Sequence, residues 1–497
     1  MSVRTVLIAN RGEIAIRIAR ACRELGCASV AVYSDADRGA PHTLAADAAV
    51  PVGPAPAVDS YLKIDALVAA ARSAGADAVH PGYGFLAESA AFARAVEGAG
   101  LVWIGPPPDA IATMGDKLAA RGAVARAGVP LVPGAEVAAG DAHEAARRAA
   151  ALGYPVLVKA AAGGGGKGMR TVASERELAD ALAAARREAE SAFGDGRVYL
   201  EKLLVRPRHV EVQVLGDRHG TLLHLGEREC SIQRRHQKIV EETPCPVMTP
   251  ALRAEMTTAA LAAARAVGYA SAGTVEFLLD ENGRFYFLEM NTRVQVEHPI
   301  TELVTGIDIV AAQLRIAAGE PLGFRQDDVR ARGHAIEARL YAEDPAANFF
   351  PSAGPILALR EPAGPGIRVD SGIAAGTVVP VEYDPLLSKI SAWGPGRTSA
   401  LARLRAALAD TAVLGPTPNL AFLQDVLAHA AFARGNTHTG FLAEHLPAWR
   451  PASDTAPAAA IAAALALARP GMAADGAGAA RVEPTPWETL GGWRLGG

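Results

Sequence analysis

The sequence is poor in cysteine, in long apolar runs and in excess charge, and each shortage excludes a class of protein. Its four cysteines include no CxxC pair, which argues against a disulfide framework and predicts reduced thiols in a cytoplasmic protein. The longest apolar run, residues 458–468, is mostly alanine and too short to span a bilayer, and the chain starts without a signal-peptide pattern. A net charge of −4 predicts no general attraction to nucleic acid or to a membrane.

Lysine is the scarcest charged residue, with seven positions among 49 lysines and arginines. Lysine is a compact point charge, whereas arginine is a planar fork, so lysines kept in an arginine-rich chain suggest specific roles. Chance clustering in so small a sample is the alternative. Five of the seven lie in one quarter of the chain: Lys117, Lys159, Lys167, Lys202 and Lys238.

The stretch that organises the rest of the chain is residues 273–302. Two apolar runs flank Asn282-Gly283, the strongest short signal for a β-hairpin. A two-residue turn there pairs residue 280 with residue 285 and places Glu276 opposite Glu289. Because directly opposed like charges destabilise a strand pair, these two carboxylates indicate a function beyond folding.

Polar residues continue along the same stretch. Asn291 lies two residues beyond Glu289 and therefore on the same face of the strand. Two carboxylates and an amide oxygen on one face predict a site for a hard divalent cation such as Mg²⁺. A solvated hairpin face is the alternative, but it seldom gathers the set that follows, which is Arg293, Gln295, Glu297 and His298.

The N-terminal part alternates short apolar strands with amphipathic helices as far as residue 104. This alternation predicts a parallel sheet with helices on both faces. The segment at residues 80–88 follows a predicted strand end, where open α/β sheets hold their sites; a plain glycine-rich turn is the alternative. The length is typical of about three domains.

A run of four glycines, Gly163, Gly164, Gly165 and Gly166, joins a predicted strand ending in Lys159 to another predicted strand. Backbone N–H groups of glycine can close on phosphate oxygens without interference from a Cβ atom. The run is not a Walker A loop, and because it opens no helix it does not fit a dinucleotide fingerprint. We predict a mobile lid over a nucleotide, with a flexible linker as the alternative.

Basic residues also concentrate at residues 226–238. This set predicts an anion site, with a charged surface run and a nucleic-acid contact as alternatives. Interleaved acids and the lack of aromatic residues argue against nucleic acid. The basic residues of this segment are Arg228, Arg234, Arg235, His236 and Lys238.

Seven motifs in family order resemble the biotin carboxylase component of biotin-dependent carboxylases, within the ATP-grasp superfamily. They are IANRGEIAIR (8–17), HPGYGFLAE (80–88), MGDK (114–117), VKAAAGGGGKGMR (158–170), ERECSIQRRHQK (227–238), EMNTRVQVEHPITE (289–302) and GHAIEARLYAEDP (333–345). The resemblance covers residues 3–446. Residues 487–494 resemble the start of the domain that follows in the acyl-CoA carboxylase α-subunit branch.

The resemblance implies an α/β ATP-grasp fold in four parts. These are an N-terminal domain with a Rossmann-like parallel sheet (1–113), a linker and mobile glycine-rich lid subdomain (114–204), the ATP-grasp core with a C-terminal α+β domain (205–446), and an Ala/Pro/Gly linker opening a following domain (447–497).

The implied reaction has two steps. ATP and bicarbonate give carboxyphosphate and ADP, and the carboxyl group then passes to N1′ of biotin. Another ATP-grasp ligase that activates bicarbonate or a carboxylate as an acyl phosphate is the alternative. A catalytically inactive scaffold or nucleotide sensor is a third hypothesis.

The resemblance also implies roles for individual residues. The bicarbonate site would use Lys238, Arg293, Gln295 and the backbone of Val296, with Glu297 as general base near its working pKa, and Arg339 would stabilise the biotin enolate. Glu276, Glu289 and Asn291 would hold Mg²⁺ or Mn²⁺. The nucleotide would contact Lys117, Lys159, residues 163–166, Glu201, Lys202, His209, Gln233 and His236.

One expected motif is missing. No lysine is preceded by methionine, so the Ala-Met-Lys-Met site of a biotin carrier does not occur. Biotin is therefore expected on another polypeptide or on a C-terminal part outside this sequence. The resemblance further implies a carboxyltransferase partner and a homodimer or larger complex.

Overall fold

The N-terminal strands form a parallel sheet, as predicted, in a computed structural model that describes residues 3–137, 142–161 and 169–452. Its strands are β1 (Thr5–Ile8), β2 (Ala28–Ser34), β3 (Ala48–Gly53), β4 (Ala78–His80) and β5 (Val102–Trp103), in the order β3-β2-β1-β4-β5. Both faces of β1 are buried, which accounts for its continuous apolar sequence. The helices of this part are α1 (Gly12–Glu24), α2 (Pro41–Ala45), α3 (Ile64–Ser73), α4 (Ala90–Gly98) and α5 (Pro108–Gly115).

A second, four-stranded antiparallel sheet follows. It consists of β6 (Gly134–Glu136), β7 (Val156–Ala160), β8 (Arg170–Val172) and β9 (Val198–Lys202), in the order β6-β9-β7-β8. The neighbouring helices are α6 (Lys117–Arg126), α7 (Ala142–Leu152) and α8 (Glu175–Phe193). The predicted strand-to-strand connection is confirmed, because β7 pairs antiparallel with β8. The four glycines between them lie outside the described residues.

The rest of the chain builds an eight-stranded antiparallel sheet. Its strands are β10 (Arg208–Gly216), β11 (Leu222–Arg234), β12 (Gln237–Thr243), β13 (Ser271–Leu279), β14 (Phe285–Asn291), β15 (His334–Tyr341), β20 (Ile367–Ser371) and β22 (Leu386–Gly394). Six short strands pair outside it: β16 (Glu343–Asp344), β17 (Phe350–Pro351), β18 (Gly354–Pro355), β19 (Ala358–Arg360), β21 (Val378–Val379) and β23 (Ala412–Leu414). The strand order of the large sheet is β14-β13-β10-β11-β12-β15-β22-β20.

Helices pack on both faces of this large sheet. They are α9 (Pro250–Arg265), α10 (His298–Thr305), α11 (Ile309–Ala317), α12 (Arg397–Asp410), α13 (Leu420–Ala428), α14 (Ala430–Ala433) and α15 (Phe441–His445). Helix α12 contacts Ile336 and Ala338 of β15, while α10 contacts Ala335 on the other face. Val275 and Phe277 of β13 pack in one core with Met256 of α9. Because side chains alternate along a strand, Glu276 points to the opposite face. Within the described ranges, every helix is too short or too polar to cross a membrane.

The central hairpin has a three-residue loop, so the predicted two-residue turn is wrong. Asp280 N donates to Arg284 O at 2.8 Å, and Gly283 has a φ of +78°, the left-handed position of such a loop. The Asp280 carboxylate stabilises the longer loop by accepting from the backbone N–H groups of Asn282 and Arg284.

The longer loop shifts the predicted register by one residue near the turn. Leu279 pairs with Phe285, whereas the sequence predicted that residue 280 would be the partner of Phe285. A bulge between Phe277 and Glu276 then restores the predicted register, and Glu276 lies opposite Glu289 as expected. The bulge leaves one residue of the partner strand unpaired, so the position of the two carboxylates was correct although the turn was not.

Candidate active site

A cavity of about 570 Å³ lies between the four-stranded and eight-stranded sheets. Its wall contains every described residue to which the family resemblance gives a role. The four glycines at residues 163–166 are the predicted members that fall outside the described ranges. The predicted residues on the wall are Lys117, Lys159, Glu201, Lys202, His209, Gln233, His236, Lys238, Glu276, Glu289, Asn291, Arg293, Gln295, Val296, Glu297 and Arg339.

Lys238 is the centre of the charge arrangement. Its Nζ atom donates to Glu211 at 2.5 Å, to Glu276 at 2.7 Å and to Glu297 at 2.8 Å. Burial lowers the pKa of this ammonium, but the three carboxylates outweigh burial and raise the pKa well above its ordinary value. Lys238 therefore remains charged and holds together acidic side chains from two strands and a loop.

Glu297 is bound on both carboxylate oxygens by cations. Oε1 accepts from Lys238, and Oε2 accepts from the Arg339 guanidinium at 2.9 Å. Burial raises the pKa of Glu297, but Lys238, Arg339 and Arg228 outweigh it and hold the pKa well below its ordinary value. The expectation of a base near its working pKa is therefore wrong for this arrangement, because the same cations that fix the carboxylate also weaken it as a proton acceptor.

The residues predicted to hold a metal fit a divalent cation. Burial and the facing Glu276 carboxylate raise the pKa of Glu289, and among the described residues Glu289 has no hydrogen-bond or ion-pair partner. Glu276 already accepts from Asn291 Nδ2 and Gln295 Nε2, both at 2.8 Å. A cation beside Glu289 would offset the repulsion between the two carboxylates, and oxygen donors of this kind suit Mg²⁺.

Two other clusters could offer metal ligands but are already neutralised. His209, Glu211 and Glu276 form one cluster, and Glu211, Cys230 and Glu297 form the other, each with ligand atoms within 4.8 Å of one another. Lys238 contacts all three carboxylates, so its ammonium offsets their negative charge.

The opposite end of the cavity combines lysines with an apolar wall. Lys159 Nζ donates to Glu201 at 2.8 Å, while Lys202 Nζ donates to the backbone carbonyls of Gly153 and Tyr154. Burial and the charge of Lys159 lower the pKa of Lys117. The apolar lining suits a flat heterocycle, and it includes Val132, Leu157, Met169, Leu203, Leu204, Leu278 and Leu288.

His209 connects the nucleotide end to the acidic cluster. Its Nε2 atom lies 3.0 Å from Glu276, and its Nδ1 atom lies 2.8 Å from Gln233 Nε2. The pKa of His236 is lowered by burial and by the nearby charge of Lys159. Both histidines line the cavity.

The predicted anion site of residues 226–238 is largely wrong. Arg228 is fully buried and donates to Glu211, Gln213, Thr274, Gln295 and Thr301. The other two arginines also bind protein groups, Arg234 to Glu343 and Arg235 to Asn348. Of the five basic residues, His236 and Lys238 line the cavity, whereas the three arginines are bound by side chains of other segments.

Three residues that contact the site were missed by the sequence analysis. Glu211 lies on the same face of β10 as His209, and a glutamate among valines was the available signal. Glu241 pairs with Arg339 at 2.5 Å, and burial raises its pKa to about 7 although Arg339 opposes this. Glu88 accepts from Thr292 N and Arg293 Nε, both at 3.0 Å. Glu88 lies within one of the motifs that carried the resemblance.

Three family models match the chain. The model described as biotin carboxylase, N-terminal domain, matches residues 2–111. The carbamoyl-phosphate synthase L chain, ATP binding domain, matches residues 116–325, and the biotin carboxylase C-terminal domain matches residues 337–444.

Curated relatives are similar over most of the chain. Biotin carboxylase of Allochromatium vinosum is 50% identical over 445 residues, covering 89% of this chain and 99% of the relative. The propionyl-CoA carboxylase alpha chain of Ruegeria pomeroyi is 48% identical over 462 residues, covering 89% of this chain and 68% of the relative.

Solved structures agree with these relatives. The biotin carboxylase domain dimer of Hydrogenobacter thermophilus 2-oxoglutarate carboxylase, in complex with MgADP, ADP and bicarbonate, has a TM-score of 0.87 and 46% identity and covers 91% of this chain and all of its own. The βγ-ATP complex of biotin carboxylase from Campylobacter jejuni has a TM-score of 0.87 and 43% identity and covers 89% of this chain and 99% of its own.

Proposed function

Because the chain belongs to the biotin carboxylase family, it is an ATP-dependent ligase that carboxylates biotin with bicarbonate, and we propose that Glu297 is the base of this reaction. The observation that carries the proposal is the position of the Glu297 carboxylate. It lies between Lys238 at 2.8 Å and Arg339 at 2.9 Å, in the cavity that also contains the nucleotide residues.

In the first step, bicarbonate would bind beside Glu297, against Lys238, Arg293, Gln295 and the backbone of Val296. Its negative charge would compete with Glu297 for the cations and so raise the depressed pKa of the carboxylate. Glu297 could then accept the bicarbonate proton. An oxygen of the resulting carbonate forms a bond to the γ-phosphorus of ATP, the bond to the bridging oxygen breaks, and ADP leaves with the electron pair.

The nucleotide would be held by the lysines and the apolar wall at the other end of the cavity. The MgADP complex of the relative from Hydrogenobacter thermophilus supports this assignment. Glu276, Glu289 and Asn291 would hold Mg²⁺ or Mn²⁺. When bound, such a cation neutralises charge that develops on the phosphate oxygens.

In the second step, N1′ of biotin would lose its proton to the departing phosphate and form a bond to the carboxyl carbon of carboxyphosphate as the bond from that carbon to the phosphate oxygen breaks. Arg339 would stabilise the biotin enolate that forms when the proton leaves. Its guanidinium is buried and already paired with Glu241 and Glu297. A fixed positive charge in a water-poor site stabilises a developing oxyanion more than a solvated one does. The contact between Arg339 and Glu297 supports a single site for both steps.

The partners are a further part of the proposal. We expect biotin to arrive on a carrier domain and the carboxyl group to pass on to a carboxyltransferase. The relative from Ruegeria pomeroyi, named as the alpha chain of a propionyl-CoA carboxylase, supports an assembly of several polypeptides. The relative described as a domain dimer supports a homodimer, and the predicted four-part domain division remains a proposal.

The test is ADP release with Mg²⁺, measured with and without bicarbonate and with and without free biotin. We expect release to require bicarbonate and to rise with biotin, and Glu297→Gln to abolish both effects while ATP binding is retained. A requirement for bicarbonate with no response to biotin would favour the other ATP-grasp ligase. ADP release independent of both compounds, or an unchanged Glu297→Gln variant, would contradict the proposed site.

A further inference from the structure

Lys389 is a buried lysine outside the predicted site. It lies in β22, directly opposite Arg339 of β15, and its side chain has no exposed surface. As one of seven lysines in an arginine-rich chain it belongs to a set with expected specific roles, and the proposed mechanism gives it none.

The Lys389 ammonium connects three separate parts of the fold. Its Nζ atom donates to the backbone carbonyl of Val296 at 2.8 Å and lies 3.2 Å from Oε1 of Glu13 in α1. The same Glu13 oxygen accepts a hydrogen bond from the hydroxyl of Tyr83, which lies in the segment after β4. Lys389 therefore ties the loop before α10 to the N-terminal sheet domain.

The carbonyl that Lys389 binds is one half of the peptide group leading to Glu297. Because a peptide group is planar, holding the carbonyl of Val296 also fixes the N–H and the starting direction of Glu297. The preceding carbonyl, of Gln295, lies 2.7 Å from Nδ1 of His298. Burial and the charge of Lys389 hold the pKa of His298 well below its ordinary value, so this imidazole stays neutral and donates.

Other carboxylates near Lys389 have partners of their own. Asp370 pairs with Arg368 at 2.8 Å. Glu337 accepts from Ser391 at 2.7 Å, and burial raises its pKa to about 8. Among the described residues, Glu13 is the carboxylate that lies within ion-pair distance of Lys389. A role in the Val296 loop and a role in pairing Glu13 can therefore be separated by substitution.

We propose that Lys389 is a positioning residue that fixes the peptide group between Val296 and Glu297 and so sets the geometry of bicarbonate binding and proton transfer. This inference rests on the proposed function of that loop. Lys389 would act through the backbone and would not touch the substrate.

The test compares Lys389→Met, Glu13→Gln and the double variant. The double variant lacks both the ammonium and the buried carboxylate that Lys389→Met leaves unpaired. It can therefore replace Lys389→Met in the kinetic measurement if Lys389→Met does not fold. For both variants that lack Lys389 we expect the KM for bicarbonate to rise about tenfold or more, with the KM for ATP within about twofold of wild type. Glu13→Gln should leave the KM for bicarbonate within about twofold, because glutamine keeps an oxygen that can accept from Lys389 and Tyr83.

The double variant decides between positioning and simple ion pairing. We expect it to recover thermal stability relative to Lys389→Met without recovering the KM for bicarbonate. Recovery of that KM, or an equal rise in the KM for ATP, would overturn the positioning role. If wild-type ADP release proved independent of bicarbonate, the proposed function and this inference would both fail. An unchanged KM for bicarbonate in the double variant would contradict this inference alone.

Discussion

Replacement of Lys238 by methionine tests the charge arrangement of the site most directly. Methionine keeps most of the side-chain length but removes the ammonium that contacts Glu211, Glu276 and Glu297 at 2.5–2.8 Å. Three buried carboxylates would then remain, with Arg228, Arg339 and His209 as the neighbouring partners. We expect a large loss of folding stability in addition to loss of activity.

The size of the loss follows from the geometry. Removing one partner of a buried ion pair costs about 3–5 kcal/mol. Ligand atoms of Glu211 and Glu297 lie within 4.8 Å of each other, where two like charges repel by about 3.5 kcal/mol at an effective dielectric constant of about 20. Both estimates indicate that Lys238→Met lowers the free energy of unfolding by roughly 3–5 kcal/mol near neutral pH.

The loss should depend on pH in a defined direction. In the wild type the pKa values of Glu276 and Glu297 are held below the ordinary 4.5, so their stabilisation is present above that pH and lost below it. In the variant, repulsion raises the pKa of at least one carboxylate above 4.5. That group then takes up a proton as the pH falls, and the difference from wild type shrinks.

The assay is urea unfolding of both proteins at about pH 8 and about pH 5.5. Lys202→Met is the matched control, because Lys202 binds two backbone carbonyls and no carboxylate. We expect the control to lose less free energy and to lose the same amount at both pH values. An equal loss for Lys238→Met at both pH values would refute the argument, since it would show that packing and not charge stabilises the site.

Two further predictions concern single glutamates. Glu289→Gln should raise the Mg²⁺ concentration for half-maximal ADP release about tenfold or more, because one ligand charge is lost. Glu281→Gln at the exposed hairpin tip is the control. An equal rise in that Mg²⁺ concentration for both variants would contradict the metal site. Burial, together with the charge of Glu241, raises the pKa of Glu337 to about 8, so the folded wild type holds an extra proton and loses stability as pH rises from 4.5 towards 8. Glu337→Gln should therefore gain stability relative to wild type across that range in urea unfolding, whereas parallel pH curves would show that Glu337 is not protonated on folding.

Local sequence patterns predicted the faces of strands well. Alternation placed Glu276 and Asn291 on one face of the hairpin, and both line the cavity. The same local signal misjudged the turn, because Asn282-Gly283 suits two loop lengths and the Asp280 carboxylate selects the longer one. It also misjudged Arg228, because a run of basic residues does not reveal which of them find buried acidic partners.

Family membership, the hairpin carboxylates and the polar residues that the resemblance assigned to the site were determined by the sequence alone, since motif order and strand alternation are properties of neighbouring positions. Tertiary structure decided which charges meet. Lys238 joins Glu211, Glu276 and Glu297, and Lys389 reaches Glu13 from the far end of the chain. These contacts depend on the order of strands in the large sheet and on its packing against the N-terminal domain, and pairings between distant segments leave no periodic signal in a single sequence.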